Sequence, residues 1–578
     1  MKHAACRSFL GVALATTLFS GPIGAIAAPP APTAGAGERL QYHPIRVDAA
    51  GKIVPWYSSD FGKAFDHSIR LVWKFWDTMA ADRNGLPYHM NHQVWRPGLD
   101  DHRGIGGDQI QMALSSWALL HAYLGNQSTD LRSTGDITRF GPIVENMRFM
   151  ADYYLTHGLS RPTDKWPNVP YPYNNFVYSG SYDGDMILGK NFTQPDKAGS
   201  LGIELVTLFK ITGFTDYLDA AIAIADTLAA KIKPGDNDNS PMPFKVNAVT
   251  GAVGTLLGAT KGSAQKSSYT SNWVGTLRLF EALLDLGKNG TQNIDGHQGH
   301  EATRFGKKKL AAYQKGHDLI LTWCKQFPLK TNKWGPFFED INGWSDTQIN
   351  AVTFAEYMMD HPTVFPEWKT QVRGILDWAE RELGNPDWKK YGVVAINEQT
   401  AYRVPGNSHS ARQAAAELHY AELTGDTSHK DGAVRQLAWA TYMVDVDGKN
   451  RYLRDDVWMT DGYGDFVRHY LRAMASAPEL APPGQNHLLR STSVVALCRY
   501  SPDKIVYRTY DKNATETLRL AQKPKRVTSG QDADVVLNEV PTLAALATAP
   551  GYHFEVMASG GGLLTIRHDG KNSITVNY

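Results

Sequence analysis

The run NEQTAYRVPGNSHSARQ, residues 397–413, holds Glu398, Tyr402, Arg403, Asn407, His409 and Arg412 within one short stretch. Such a set could remove a proton beside a carboxylate. Arg403, Asn407 and Arg412 would hold the carboxylate, while Tyr402 and His409 would exchange protons with the substrate and leaving group. His409 and Arg412 are three residues apart, so they share one face if a helix starts near Ser408. Similar polar runs recur. HMNHQVWRPGLDDHRGIGGDQ carries His89, His92, Arg96, Asp101, Arg103 and Asp108, and YPYNNFVYSGSY carries Asn174, Asn175 and Tyr178. WGPFFEDINGWSDTQ interleaves Glu339, Asp340 and Asp346 with Trp334, Phe337, Phe338 and Trp344, and NRYLRDDVWMTDGYGD carries Asp461 and Asp465.

A second chemistry fits the same runs. Hydrolysis of a glycosidic bond needs two carboxyl groups roughly 5–10 Å apart. Asp108, Asp340 and Asp346 are the candidates for it, with Asp100, Asp461 and Asp465 beside them. His92, Arg96, Asp101, Arg103, Asn175, Tyr178, Trp334, Trp344, Asn407 and Asp461 are expected to contact substrate, the tryptophans as stacking faces. Against each assignment stands an ordinary alternative. Asp108, Asp196, Ser271, Ser345 or Asp346, Ser408 and Asp461 all suit helix N-caps or first turns. Only the coincidence of all six runs favours a site.

Metal and nucleotide chemistry find less support. DVDGKN, GDNDN and YDGDM are acid-rich turns, but none completes a calcium-loop pattern with its terminal glutamate. No cofactor is expected to be required, and a calcium ion has only these turns in its favour. GIGGD lacks the strand and spacing of a dinucleotide site, and no pair of histidines brackets a glutamate in the zinc-protease manner.

The elements that must position these runs form a repeat. AGSLGIELVTLFKITGFTDYLDAAIAIADTLAAKI predicts a helix from about 198 to 211, a glycine turn, and a second from about 217 to 232. The segment QAAAELHYAELTGDTSHKDGAVRQLAWATYMV repeats the plan, with Thr-Gly-Asp at the turn. DQIQMALSSWALLHAYLGN with PIVENMRFMADYYLTHG gives a third pair. Residues 272–286 with 308–327, and 347–359 with 368–383, give two more. The segments 65–81 and 463–476 would pair by closing a ring.

Six helical hairpins in one chain resemble the (α/α)6 toroid of many glycoside hydrolases and polysaccharide lyases, over residues 65–476. The resemblance rests on repeat plan, matches no single family signature, and transfers no catalytic residue. If alternate helices line the inside, each polar run precedes an inner helix, and all six runs meet at one mouth. Their free N–H groups would favour anionic or hydroxyl-rich ligands there.

After Pro478 the texture changes to alternating segments: SVVALCRY, KIVYRTY, TETLRLA, ADVVLNEV, YHFEVMA, LLTIRHD and SITVNY. Period-two patterning with turn residues at the breaks predicts an antiparallel β-sandwich over residues 487–578, joined to the toroid of residues 61–477. A stabilising appendage is the expected role.

At the N-terminus, Lys2, His3 and Arg7 precede an apolar run, and small residues end at Ala27. Residues 1–27 therefore read as a signal peptide, too short in its apolar part to span a bilayer, and residues 28–60 as a lead-in. An exported protein, periplasmic or extracellular, is expected. Two cysteines remain, Cys324 and Cys498, expected as buried thiols. The net charge of +1 gives no support for nucleic acid or an anionic membrane as partner. The expected partner is a poly- or oligosaccharide. The expected function is cleavage of a uronate-containing glycan by β-elimination, with hydrolysis as the alternative and non-catalytic glycan capture as a third reading.

Overall fold

The apolar residues of several helical segments run round the whole helix rather than along one stripe, which marks those helices as buried on every side. The computed structural model describes residues 38–79, 107–125, 140–173, 181–257, 264–289, 305–338, 343–450, 453, 462–530, 533 and 535–578. The expected signal peptide and the lead-in up to residue 37 lie outside the described residues. Among the described residues there are thirteen α-helices. They are α1 (Phe61–Asp77), α2 (Gly107–Leu124), α3 (Pro142–His157), α4 (Pro195–Thr212), α5 (Thr215–Lys231), α6 (Val274–Asn289) and α7 (Lys307–Gln326). The remainder are the single turn α8 (Pro328–Thr331), α9 (Gln348–Asp360), α10 (Trp368–Leu383), α11 (Asn407–Thr424), α12 (Lys430–Thr441) and α13 (Gly462–Ser476).

Six of these close an inner ring: α2 packs on α4, α4 on α6, α6 on α9, α9 on α11, α11 on α13, and α13 back on α2. Helices α3, α5, α7, α10, α12 and α1 back them from outside, one each. Pairing of α13 with α1 joins the two ends of the helical segment, as the ring requires. Five inner helices open their hairpins, and Asp465 in the first turn of α13 meets Ser408 and Arg412 at the start of α11, so these N-termini lie at one end of the ring. Two of the hairpin turns use the same device: Gly213 and Gly425 cap α4 and α11 at φ of 80° and 78°, where a side chain would be strained. Helices α4 and α6 approach closely through glycine. A Cβ on Gly199 would lie 2.6 Å from the backbone of Thr276.

The described residues of the C-terminal segment form nine strands: β1 (His487–Ser491), β2 (Val495–Tyr500), β3 (Lys504–Thr509), β4 (Ala514–Leu520), β5 (Arg526–Ser529), β6 (Val535–Leu537), β7 (Gly551–Val556), β8 (Gly562–His568) and β9 (Ser573–Asn577). They make a four-stranded antiparallel sheet in the order β1-β4-β8-β7 and a five-stranded one in the order β2-β3-β9-β5-β6. Leu518, Leu564 and Ile566 of the first share one core with Ile505, Tyr507, Ile574 and Val576 of the second. Two of these strands, β1 and β5, have no counterpart among the seven expected. Cys324 and Cys498 are both free and buried. Among the described residues no helix is long and apolar enough to cross a membrane.

The sheets rest on the far ends of the inner helices, away from the N-termini. Tyr500 donates to the carbonyl of Ala122 at 2.8 Å, and Arg490 pairs with Glu422 near the end of α11. Two histidines are sealed into this junction. His487 donates from Nδ1 to the carbonyl of Tyr123 at 2.9 Å and stacks on that ring, and His121 meets the carbonyl of Ala496. Burial holds each imidazole down at about 4, below its ordinary 6.5. A depressed histidine contributes stability that is present above 6.5 and is lost as pH falls through the folded value. Thermal unfolding midpoints should therefore hold near neutrality and drop steadily between pH 6.5 and 4. His487→Gln should flatten that slope; an unchanged slope would remove the junction as its source.

Candidate active site at the axis of the helical ring

The first turns of several inner helices are bound to one another through their side chains. The N-cap residues Gln194, Thr347 and Gly406 make no side-chain capping bond; Asp196 and Ser408 stand in the first turns of α4 and α11, as expected, while Ser345 and Asp346 precede α9. Asp196, fully buried, accepts from Asn272 at 2.8 Å and from Lys197 at 3.1 Å. Lys197 also donates to the carbonyl of Phe337 and lies over that ring. Gln348 donates to the carbonyl of His409 and accepts from Arg412. Ser408 and Arg412 both donate to Asp465 of α13, which Arg468 and His469 also approach. Burial opposes the Asp465 charge, but Arg468 and Arg412 hold its carboxyl well below the usual range.

Inside this belt the axis is open. A cavity of about 100 Å³ is lined from all six inner helices, including Gln111 of α2, Glu204 of α4, Arg278 of α6, Glu356 of α9, Arg412 of α11 and Arg472 of α13. Arg468 and His469 also face it, so four arginines stand against two glutamates. Arg278 pairs with Asp360, and Arg412 and Arg468 with Asp465. Arg472 makes no ion pair with a described residue; burial, and then Arg468, lowers its guanidinium below the ordinary value. The two glutamates are pushed apart. Burial raises Glu204 to about 7 despite Arg468 and Arg472. Glu356 is lowered against burial by His419, which it meets at 2.9 Å.

His409 lies in the first turn of α11, buried, with the ring of Phe338 edge-on at 6.0 Å. Burial, with Arg412 beside it, holds the imidazole down at about 3. An arginine N–H can only donate, so the 3.5 Å contact from Arg412 makes Nδ1 the acceptor and leaves the proton on Nε2. His409 is thus a neutral donor. Proton exchange, the role expected from its type, would therefore start from the neutral ring.

The other expected residues divide sharply. Arg403 is exposed and pairs with no described residue, and Tyr402 is half-buried beside it. Asn407 is committed, donating to Asn450 at 2.7 Å and accepting from the backbone of Ser408, and Arg412 is neutralised by Asp465. Neither is available as a simple carboxylate clamp. Asp108 is buried in the first turn of α2, close enough to Tyr182 to add to the rise that burial gives that phenol. Asp346 is engaged on both oxygens, accepting from the backbone of Trp334 and Gly335 and from the indole of Trp344, each at 2.8 Å. That use leaves it a poor general acid. Trp334 is fully buried and offers no face to a ligand, whereas Trp344 is half-buried. His92, Arg96, Asp101, Arg103, Asn175, Tyr178, Asp340 and Asp461 lie outside the described residues. The cavity wall brings together Glu204, Glu356, Arg278, Arg468, His469 and Arg472, and does not include Tyr402, Arg403 or His409. Among the described residues no group of three or more His, Cys, Asp or Glu could hold a metal ion.

No protein-family model matches the chain, and no curated protein matches it in sequence. Among solved structures it is similar to cellobiose 2-epimerase from Bacillus thermoamylovorans B4167, with a TM-score of 0.49 and 13% identity over 72% of this chain and 99% of that one. It is also similar to a glycoside hydrolase family 15 glucoamylase from Hypocrea jecorina, with a TM-score of 0.42 and 11% identity over 72% of each chain. A polysaccharide lyase gives 0.40 and 12%, over 72% of this chain and 98% of that one. These likenesses are low. The toroid rests on the chain's own closed ring, and no residue role passes from these proteins.

Proposed function

We propose that the chain is an exported carbohydrate-active enzyme that cleaves an acidic glycan by β-elimination at the mouth of the ring. The observation that carries this is the convergence of four arginines on a cavity begun by the first turns of the inner helices, with Arg472 making no ion pair to a described residue. At about 100 Å³ the cavity is small beside the roughly 300–1,000 Å³ of pockets that enclose a ligand. A pyranose ring therefore stays in the mouth, and only its carboxylate reaches the arginines. Neutralising that carboxylate acidifies the proton alpha to it. Tyr402 is the group proposed to exchange protons. As the alpha proton leaves, its electron pair passes through the carboxylate-stabilised anion. It then forms the carbon–carbon double bond and expels the beta glycosidic oxygen, which takes up a proton. His409 donates from Nε2 to the developing negative charge.

One observation favours hydrolysis instead. Glu204 and Glu356 line the same cavity with environments that push their carboxyls in opposite directions, the pattern of an acid and its partner. Incubation with polyuronates and neutral glycans separates the readings. Elimination is expected to give an ultraviolet-absorbing unsaturated end on the polyuronate alone. New reducing ends without that absorbance would replace elimination by hydrolysis. Binding with no cleavage of any glycan would remove the enzyme.

A further inference from the structure

A second cleft opens on the same end of the molecule, between the segment after α5 and the segment before α9. It has a volume of about 330 Å³ and is lined by Asp238, Gln265, Ser267, Tyr269, Lys333 and Trp344, among others. Its wall is rigid. The Trp344 indole N–H is fixed on Asp346, whose other oxygen is held by two backbone N–H groups. Tyr269 lies against Trp344 with centroids 5.1 Å apart, and its hydroxyl donates to the carbonyl of Lys333. Lys333 sits 4.8 Å from the Tyr269 ring and 5.1 Å from Trp344, tied to the carbonyl of Asn237 and to Asp238. Gly335 makes this packing possible. Its φ is 73°, and a Cβ there would come within 2.7 Å of the tyrosine ring.

The cleft adjoins the axial cavity across one short segment. Pro336 lines it, and the next residue, Phe337, lines the central cavity. One short segment thus forms part of both walls.

We infer that this cleft is an outer sugar subsite, taking a pyranosyl unit of the glycan whose cleaved linkage lies at the mouth. It rests on the glycan reading proposed above. A pyranose has an apolar face and a polar rim, and the cleft offers the matching pair: an indole held in a fixed plane, with amide, hydroxyl and ammonium groups around it. Because Trp344 and Lys333 are already immobilised, ligand binding freezes little further motion. Lys266 also lines the cleft, so two lysines face one aspartate and an acidic unit is favoured over a neutral one.

The test is calorimetric titration with oligouronates from dimer to hexamer, in a His409→Ala background that holds turnover down. Affinity should rise about tenfold once the chain is long enough to reach the cleft, the size of one good stacking contact. Trp344→Ala should abolish that gain. Gln265→Ala, a change on an exposed hairpin that leaves the core untouched, should reduce it about threefold. Affinity independent of length, or a length gain retained in both variants, overturns the subsite while the glycan reading stands. Failure of every oligomer to bind overturns both.

Discussion

His409→Ala is expected to lower turnover of the preferred glycan about 100- to 1,000-fold, the usual loss when a donor aimed at developing negative charge is removed. The size follows from where the proton sits. With Arg412 donating to Nδ1 and burial holding the ring near 3, His409 offers a neutral N–H throughout the working pH range. A buried neutral donor already aimed at the site costs little reorganisation when charge appears beside it. Two further outcomes follow. The pH–rate profile should show no limb near 6.5 that disappears with His409, because the group does not titrate there. His409→Gln, which keeps an N–H, should recover part of the loss. If alanine, glutamine and histidine turn over alike, His409 has no part in the chemistry; a lost limb near 6.5 would instead make it a titrating base.

How far the sequence carried the argument depends on which periodicity a residue belongs to. The hairpins were legible because an inner helix, buried on all sides, is an apolar run with a turn at each end, and Gly213 and Gly425 mark two of those turns. The convergence of the polar runs was legible as a consequence of alternation alone. What escaped was one or two turns further in. Glu204 stands inside GIELVTLF, Arg278 inside TLRLFEALL, Glu356 inside FAEYMM, and Arg468, His469 and Arg472 inside FVRHYLRAM. A charge amid such apolar surroundings is itself a signal, since burying it unpaired is costly. Yet its direction, toward the axis rather than a neighbouring helix, exists only once the ring closes. Asn407 and Arg412 show the converse. Their types suited ligand binding, but their partners, Asn450 and Asp465, are remote in sequence and already satisfy them. Among the strands, β1 and β5 are HLLRS and RVTS, too short and too interrupted by polar residues to declare a period of two.

The belt that holds these helices in register gives the second large expectation. Asp465→Ala should destabilise the ring by about 3–5 kcal/mol, the cost of leaving buried cations without their counter-charge. Arg412 and Asp465 are 3% and 1% exposed, and Arg468 shares the same carboxylate, so two guanidiniums would lose their partner together. The exposed pair Lys52–Asp431, at 42% and 56%, is the internal contrast: Asp431→Ala should cost at most about 1 kcal/mol. Salt separates the two cases. It should erase the small effect of the surface pair and leave most of that of the buried one, whose carboxylate is 1% exposed. The comparison is made on thermal unfolding midpoints at low and high ionic strength. Equal shifts for the two variants would mean that the α11–α13 contact is held by apolar packing alone. The ion cluster would then be free to serve the cavity rather than the fold.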